Sequence, residues 1–366
     1  MVEKGHEVSI LYIDQVEGNP YFPLKQEVKQ INILFENGER ILSEKLSLPL
    51  RIAREVVRPF SQNRAREINA VNKGRLYGKR IKQLIDQMNP DVVVSCSIAS
   101  TKYVILDAGI NIPVIQMIHD DPPTQFPTFS KIEFEAARKC AAIQVMLDYA
   151  VPTVKKYFPD NRITVIGLPV HESSHLANPG AVKNKHVISC VGSLCDRKNQ
   201  ALLVKAFSML AADFPDWELE IWGNKESLYG KRLEEQVKEL HMDERIHIMG
   251  STHNASAVYQ NSDVFAVPSK LESFSLSLSE AMAAGLPAVG FKQCNGVNSL
   301  IQNEVTGYLV SSDIHSFVNA LSQLMKSAEL RDKMGNAGRE YIKRFSPGKI
   351  WNQWDNLLKS VKEIKH

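Results

Sequence analysis

The stretch VFAVPSKLESFSLSLSEAMAAGLPAVGF, residues 264–291, opens with a short apolar run and passes through a serine-rich segment. It continues into the helix formers EAMAA, stops at Gly285 and Pro287, and resumes as a second apolar run. Strand, helix, strand within so few residues is a βαβ unit, and its two strands must be parallel. The strict alternation from Phe274 through Ser279 reads instead as a strand, a conflict that periodicity alone leaves open. If the helix begins near Ser275, its free N–H groups and positive dipole end face the carboxyl side of the sheet, where an anion such as a diphosphate is stabilised.

The same alternation extends in both directions. Upstream lie HVISCVGSL (186–194), WELEIWG (217–223) and IHIMG (246–250), and downstream GYLV (307–310), with helical stretches between. The first half offers HEVSILYI (6–13), INILF (31–35), DVVVSC (91–96), VIQMIH (114–119), AAIQVML (141–147) and ITVIGLPV (163–170). Such short Val- and Ile-rich runs suit strands buried on both faces. The chain of 366 residues exceeds what one hydrophobic core usually serves, so two domains are expected. The Gly-, Pro- and Asn-bearing stretch LANPGAVKNK (176–185) marks the junction. The division is 1–172, a linker at 173–185, a second domain at 186–345, and a final helical segment at 346–366. In that segment Trp351, Trp354, Leu357, Leu358 and Val361 form an apolar stripe. The fold class is α/β, with two Rossmann-like domains.

Composition excludes several classes. Hydrophobic residues at 44% and charged residues at 23% are ordinary for a globular chain, and no apolar run reaches the length that spans a bilayer. The start of the sequence carries no secretory leader, so the expectation is cytoplasmic. The five cysteines are scattered without metal or redox spacing and read as reduced core or near-core thiols. Residues 51–82 hold ten Lys or Arg against two acids, a local charge of +8 that leaves −5 for the rest of a chain whose net charge is +3. With Ile52, Val56, Val57, Phe60 and Tyr77 interleaved, this segment fits an anionic membrane surface or an anionic acceptor, and equally a solvated helix face. Nothing in the sequence points to a nucleic-acid partner.

In open parallel sheets, ligands bind beyond the carboxyl ends of the strands. There the loop VGSLCDRKNQ (191–200) places Gly192 and Ser193 at a strand end, with Arg197 and Lys198 just before a helix. A glycine permits close backbone approach, and a cation near a helix start suits phosphate. Alone this is a weak signal. Glu272 and Glu280, eight residues apart around Ser273, Phe274, Ser275 and Leu276, form a stronger one.

The Glu272-x7-Glu280 spacing with Phe274 between, followed by EAMAAGLPAV, resembles the signature of the retaining, nucleotide-sugar-dependent glycosyltransferases of GT-B fold. GHEVSIL, VIGLPV, VGSLCDRKNQALLVKAF, LEIWG, RIHIMG, SDVFAVPS and NEVTGYLV fall in the family's order, so the resemblance covers essentially the whole chain. It implies two domains facing across a cleft, with the C-terminal helix returning to the first. Glu280 would bind the ribose hydroxyls of the donor. Glu272 and the backbone from Ser273 to Leu276 would contact sugar and diphosphate. Lys198 would neutralise the leaving pyrophosphate, and His119 would face the reacting sugar, with Asp120 or Asp121 orienting its ring. Gly223, Asn224, Gly250 and Ser251 would enclose the nucleobase. No cofactor or metal is expected, since the chain has no Asp-x-Asp motif. The implied partners are a nucleotide sugar, with UDP as the family-level guess, and a glycan or lipid-linked acceptor of surface polysaccharide synthesis.

The sequence departs from the family at three places. Ser193 stands where the family usually has arginine, and Arg197 is the expected substitute. Ser273 and Ser275 replace the glycines that commonly flank the phenylalanine. Only Met1 to Lys4 precede GHEV, so a first strand, glycine-rich loop and helix of roughly two dozen residues are expected to be missing. No carboxylate nucleophile is implied, which favours front-face attack over double displacement. The rival readings are a GT-B-like sugar-nucleotide epimerase and a catalytically degenerate scaffold subunit.

Overall fold

The computed structural model describes residues 1–18 and 23–363, and within 63–67 the backbone alone. The side chains of Arg64, Arg66 and Glu67 in the basic segment, and residues 364–366 of the final segment, lie outside the described residues.

The chain runs through fourteen described strands: β1 Ser9–Tyr12, β2 Lys29–Asn32, β3 Phe35–Glu36, β4 Glu39–Arg40, β5 Val93–Ser95, β6 Val114–Ile118, β7 Ala142–Val145, β8 Ile163–Val165, β9 His186–Val191, β10 Trp217–Trp222, β11 Ile246–Gly250, β12 Val264–Val267, β13 Ala288–Phe291 and β14 Gly307–Val310. The last six form one sheet in the order β11-β10-β9-β12-β13-β14, and every pairing in it is parallel. Counted from β9 this is 3-2-1-4-5-6, the doubly wound order whose direction reverses between β9 and β12. Every residue of β12 and β13 is buried, as strands covered by helices on both faces must be. The alternating serines after β12 belong to a helix, Leu276–Ala283, with Ser275 as its N-cap residue, so the helical reading prevails over the strand reading.

The first half is less regular than its sequence suggests. Strands β5-β6-β7-β8 form a parallel sheet, whereas β1 and β2 pair in parallel as a separate two-stranded sheet. INILF is not one strand. β2 ends at Asn32, Ile33 and Leu34 are buried beyond it, and Phe35 opens an antiparallel hairpin with β4. The hairpin turns on Asn37 (φ +51°) and Gly38 (φ +80°), the two-residue Asn-Gly turn whose twist suits paired strands. ITVIGLPV likewise stops being strand at Val165, because the chain leaves the sheet to meet the second half. Val170 N–H donates to the Phe345 carbonyl at 2.9 Å, and a Cβ on Gly167 would stand 2.6 Å from the Phe345 ring.

The largest core fills the second half and continues through Ile115, Met146 and Ile166 of the first. The final helix, Pro347–Lys362, returns to the first half: His6 Nε2 lies 2.8 Å from Asp355 Oδ1, Arg162 bonds the Ser360 hydroxyl, and Lys362 pairs with Asp91. Its buried face is Ile350, Trp354, Leu357 and Val361. Trp354, Leu357 and Val361 of the apolar stripe face inward as the sequence implies, whereas Trp351 is exposed, Leu358 is half-buried and Ile350 takes the remaining inward place. Cys140, Cys190 and Cys294 are buried thiols pushed up to about 12 by burial. Cys96 is exposed, contrary to the core reading, because it follows directly on the short edge strand β5. Among the described residues no helix is long and apolar enough to cross a membrane.

Candidate active site

The strand order reverses between β9 and β12, and in a doubly wound sheet ligands bind at the carboxyl ends of the strands at such a point. Both chemically odd loops begin there. The loop after β9 is stitched to the loop after β12 by the Lys270 N–H to the Arg197 carbonyl (2.9 Å) and by Asn199 Nδ2 to the Pro268 carbonyl (3.1 Å). Asn199 holds a left-handed conformation (φ +59°) as the N-cap residue of helix Gln200–Ser208, which swings the two preceding cations toward the second loop. Lys198 Nζ then lies 2.5 Å from Glu272 Oε1, to which the Ser269 hydroxyl also donates at 2.8 Å. Arg197 Nη1 donates to the Leu271 carbonyl at 2.9 Å and approaches Glu272 Oε2 at 3.4 Å. Glu272 is 4% exposed, so two cations and a hydroxyl compensate a carboxylate removed from water.

Three residues on, Ser275 begins the helix. Its carbonyl accepts from the N–H and the hydroxyl of Ser279, while its own hydroxyl is buried without a partner. The helix thus starts without a side-chain cap on its first turn and with an orphaned hydroxyl, a donor set suited to an anion. Glu280 sits further along it at an exposed position and accepts from the Tyr259 hydroxyl at 3.1 Å. Crowding by neighbouring atoms holds its carboxyl above the usual range, against the opposing effects of Tyr259 and the charge of His171.

Gly192, Gly223 and Gly250 close the ends of adjacent strands. Gly192 N–H donates to the Trp222 carbonyl (3.0 Å), and Gly223 N–H to the Gly250 carbonyl (2.8 Å). A Cβ on Gly223 would stand 2.3 Å from the Gly192 carbonyl oxygen, so no larger residue fits without moving backbone. Ser193, Asn224 and Ser251 are exposed in the loops that follow, and Asn224 is engaged in its own turn through the Glu226 N–H.

His119 is exposed directly after β6. Partial desolvation lowers its pKa and the charge of Asp120 partly offsets this. Asp121 is not free to orient the ring. It is buried, caps helix Pro122–Gln125 through the N–H and hydroxyl of Thr124, and accepts from Asn295 Nδ2 of the second half at 3.3 Å. Phe274 is buried: its ring packs edge-on against Phe345 at 5.2 Å, beneath the crossing chain. Sequence reasoning missed three residues here. Tyr149 donates to the Ser273 carbonyl at 3.5 Å, Asn295 reaches Asp121, and Lys225 lays its stem beside Gly250. Lys225 stands in the loop following β10 and Asn295 opens the short helix Asn295–Asn298 that follows β13, so both were open to the same strand-end argument; Tyr149 gave no signal.

Residues 172–341 match the family described as Glycosyl transferases group 1. The second half of the chain is thus a group 1 glycosyl transferase domain. The transferase is 25% identical over 287 residues to an uncharacterized glycosyltransferase of Haemophilus influenzae, covering 76% of this chain and 79% of that one. It is 26% identical over 245 residues to the UDP-Gal:alpha-D-GlcNAc-diphosphoundecaprenol alpha-1,3-galactosyltransferase of Escherichia coli, covering 63% of this chain and 60% of that one. Among solved structures, sucrose-phosphate synthase from Thermosynechococcus elongatus superposes with a TM-score of 0.76 at 17% identity, over 98% of this chain and 90% of that one, a likeness of GT-B fold.

Proposed function

We propose that the transferase moves a sugar from a nucleoside diphosphate, UDP being the first donor to test, to a hydroxyl of a glycan or lipid-linked acceptor in surface polysaccharide synthesis, with retention at the anomeric carbon. The observation that carries this reading is the Lys198–Glu272 pair, three residues ahead of a helix whose first hydroxyl, on Ser275, is buried and unpartnered. The Escherichia coli relative is named for a UDP-linked donor and a diphosphoundecaprenol-linked acceptor, which supports the same substrate classes here.

In this reading the diphosphate meets the amides opening helix Leu276–Ala283, and Lys198, seconded by Arg197, offsets the charge that grows on the leaving group. Glu280 accepts from the ribose hydroxyls, and the backbone around Gly223, Asn224, Gly250 and Ser251 encloses the base. His119, kept neutral by its surroundings, faces the sugar. The acceptor oxygen bonds to the anomeric carbon as the bond from that carbon to the phosphate oxygen breaks. The bonding pair leaves with the diphosphate, and the acceptor proton passes to a phosphate oxygen on the same face. Protein cations and the helix dipole serve the leaving group in place of a metal.

The test is a panel of nucleotide sugars incubated with and without acceptor glycans, with the product anomer read by NMR. Transfer with retained configuration is expected; consumption of donor to an altered sugar without any acceptor would replace this reading with an epimerase.

A further inference from the structure

We propose that helix Leu48–Val57, with Phe60 beyond it, is a docking element that lies in the headgroup region of an anionic lipid bilayer. The helix contains no buried residue. It rests on the rest of the fold through half-buried Leu50, Arg54 and Val57, which share one side. Leu48, Ile52 and Val56 recur every fourth residue on the opposite side and are 70%, 56% and 61% exposed; Phe60 is 88% exposed. Leu48, Ile52 and Val56 line one surface concavity, and with Phe60 beyond them they expose apolar surface of the kind that marks an interaction site.

Charge selects the occupant. Arg51 and Arg58 flank the apolar row and are exposed, and Glu55 is the only acid on the helix. Glu55 is already engaged by Arg54 at 2.5 Å and Arg58 at 3.5 Å, while Arg51 has no ion-pair partner among the described residues. A second copy of the same face would set these arginines against their own counterparts with no acid to spare. A surface that is apolar within and anionic at its border accepts both parts at once, the apolar row entering the acyl boundary and the arginines remaining at the phosphates. The structure narrows the basic segment accordingly. Tyr77 and Arg80 are buried, and Arg80 pairs with Glu36, so the far end of 51–82 lends its tyrosine and one arginine to the fold and leaves Arg75, Lys79 and Lys82 exposed without an apolar row beside them.

The experiment is co-sedimentation of the full chain with vesicles of phosphatidylcholine alone and with vesicles of equimolar phosphatidylcholine and phosphatidylglycerol. Binding to the anionic vesicles alone is expected, weakening about fivefold for each of Arg51→Gln and Arg58→Gln, the equivalent of about 1 kcal/mol per arginine. The triple variant Ile52→Ser, Val56→Ser, Phe60→Ser should lose binding while keeping the unfolding midpoint of the parent. Equal binding to both vesicle types, binding to neither, or undiminished binding by the triple variant would each overturn the proposal. So would concentration-dependent self-association, abolished by the triple variant, in a chain that ignores vesicles. The outcome is independent of the donor reading, since none of these residues belongs to the cleft.

Discussion

Lys198 and Glu272, separated by seventy-four residues in sequence, are joined by a 2.5 Å contact across the point where the strand order of the second sheet reverses. The contact holds the ammonium at these strand ends before any ligand arrives. Replacing Lys198 with methionine should therefore lower kcat about 10²- to 10³-fold, the usual effect of deleting one preorganised group that stabilises developing charge. Glu272 keeps Ser269 and Arg197, so the fold should survive, as circular dichroism would verify.

Gly223→Ala tests the strand-end glycines. The new methyl would stand 2.3 Å from the Gly192 carbonyl and 2.8 Å from the Leu194 side chain. Backbone must shift, at a cost of about 1–3 kcal/mol. A lowered unfolding midpoint together with weakened nucleotide binding is expected; unchanged values for both would mean the two loops are not in this contact.

The two titratable groups of the cleft give opposite signs. Desolvation raises the Glu280 pKa, so its ionised form is already lost at a pH above the usual 4.5, and donor affinity should fall there on acidification. Desolvation lowers the His119 pKa, so the ring stays neutral throughout the range above 6.5. For folding, a depressed histidine pKa means the unfolded chain takes up its proton first, and stability from this group is lost as pH falls below 6.5. Donor titrations from mildly acidic to neutral pH should show a limb in the parent that Glu280→Gln removes.

Asn295 and Asp121 tie the two halves by one hydrogen bond beside the cleft. Asn295→Ala removes the tie and leaves the Asp121 cap on Thr124 intact, so KM should rise with little change in unfolding midpoint. Asp121→Ala removes both and should cost a further 0.5–2 kcal/mol or so, the usual worth of an N-cap. Steady-state kinetics and thermal unfolding of the pair separate the roles.

The second half was the more legible in sequence because its strands are apolar runs buried on both faces, and each loop after such a run falls where ligands bind. Loops 191–200 and 268–276 meet for that reason. The helix at Leu276 contradicts its own alternation of serine and leucine, a conflict that local pattern left open and that the fold resolves as helix. What escaped notice depended on contacts between distant parts. Phe274 sits between the two glutamates and its ring packs in the crossing with Phe345, so only its backbone is left for the donor contact that the sequence implies. Ile350 rather than Trp351 faces inward, since the helix start at Pro347 sets the phase. The Asn37–Gly38 hairpin was open to recognition from its turn residues alone. The separation of β1 and β2 from β5 concerns pairing, on which local pattern is silent.

The most direct test of the diphosphate seat compares the affinities of UDP and UMP for the parent chain and for Lys198→Met by titration calorimetry. The account predicts that the parent holds UDP well above UMP and that the variant loses most of this difference while keeping its affinity for UMP. Equal affinities in the parent, or an undiminished preference for UDP in the variant, would contradict it.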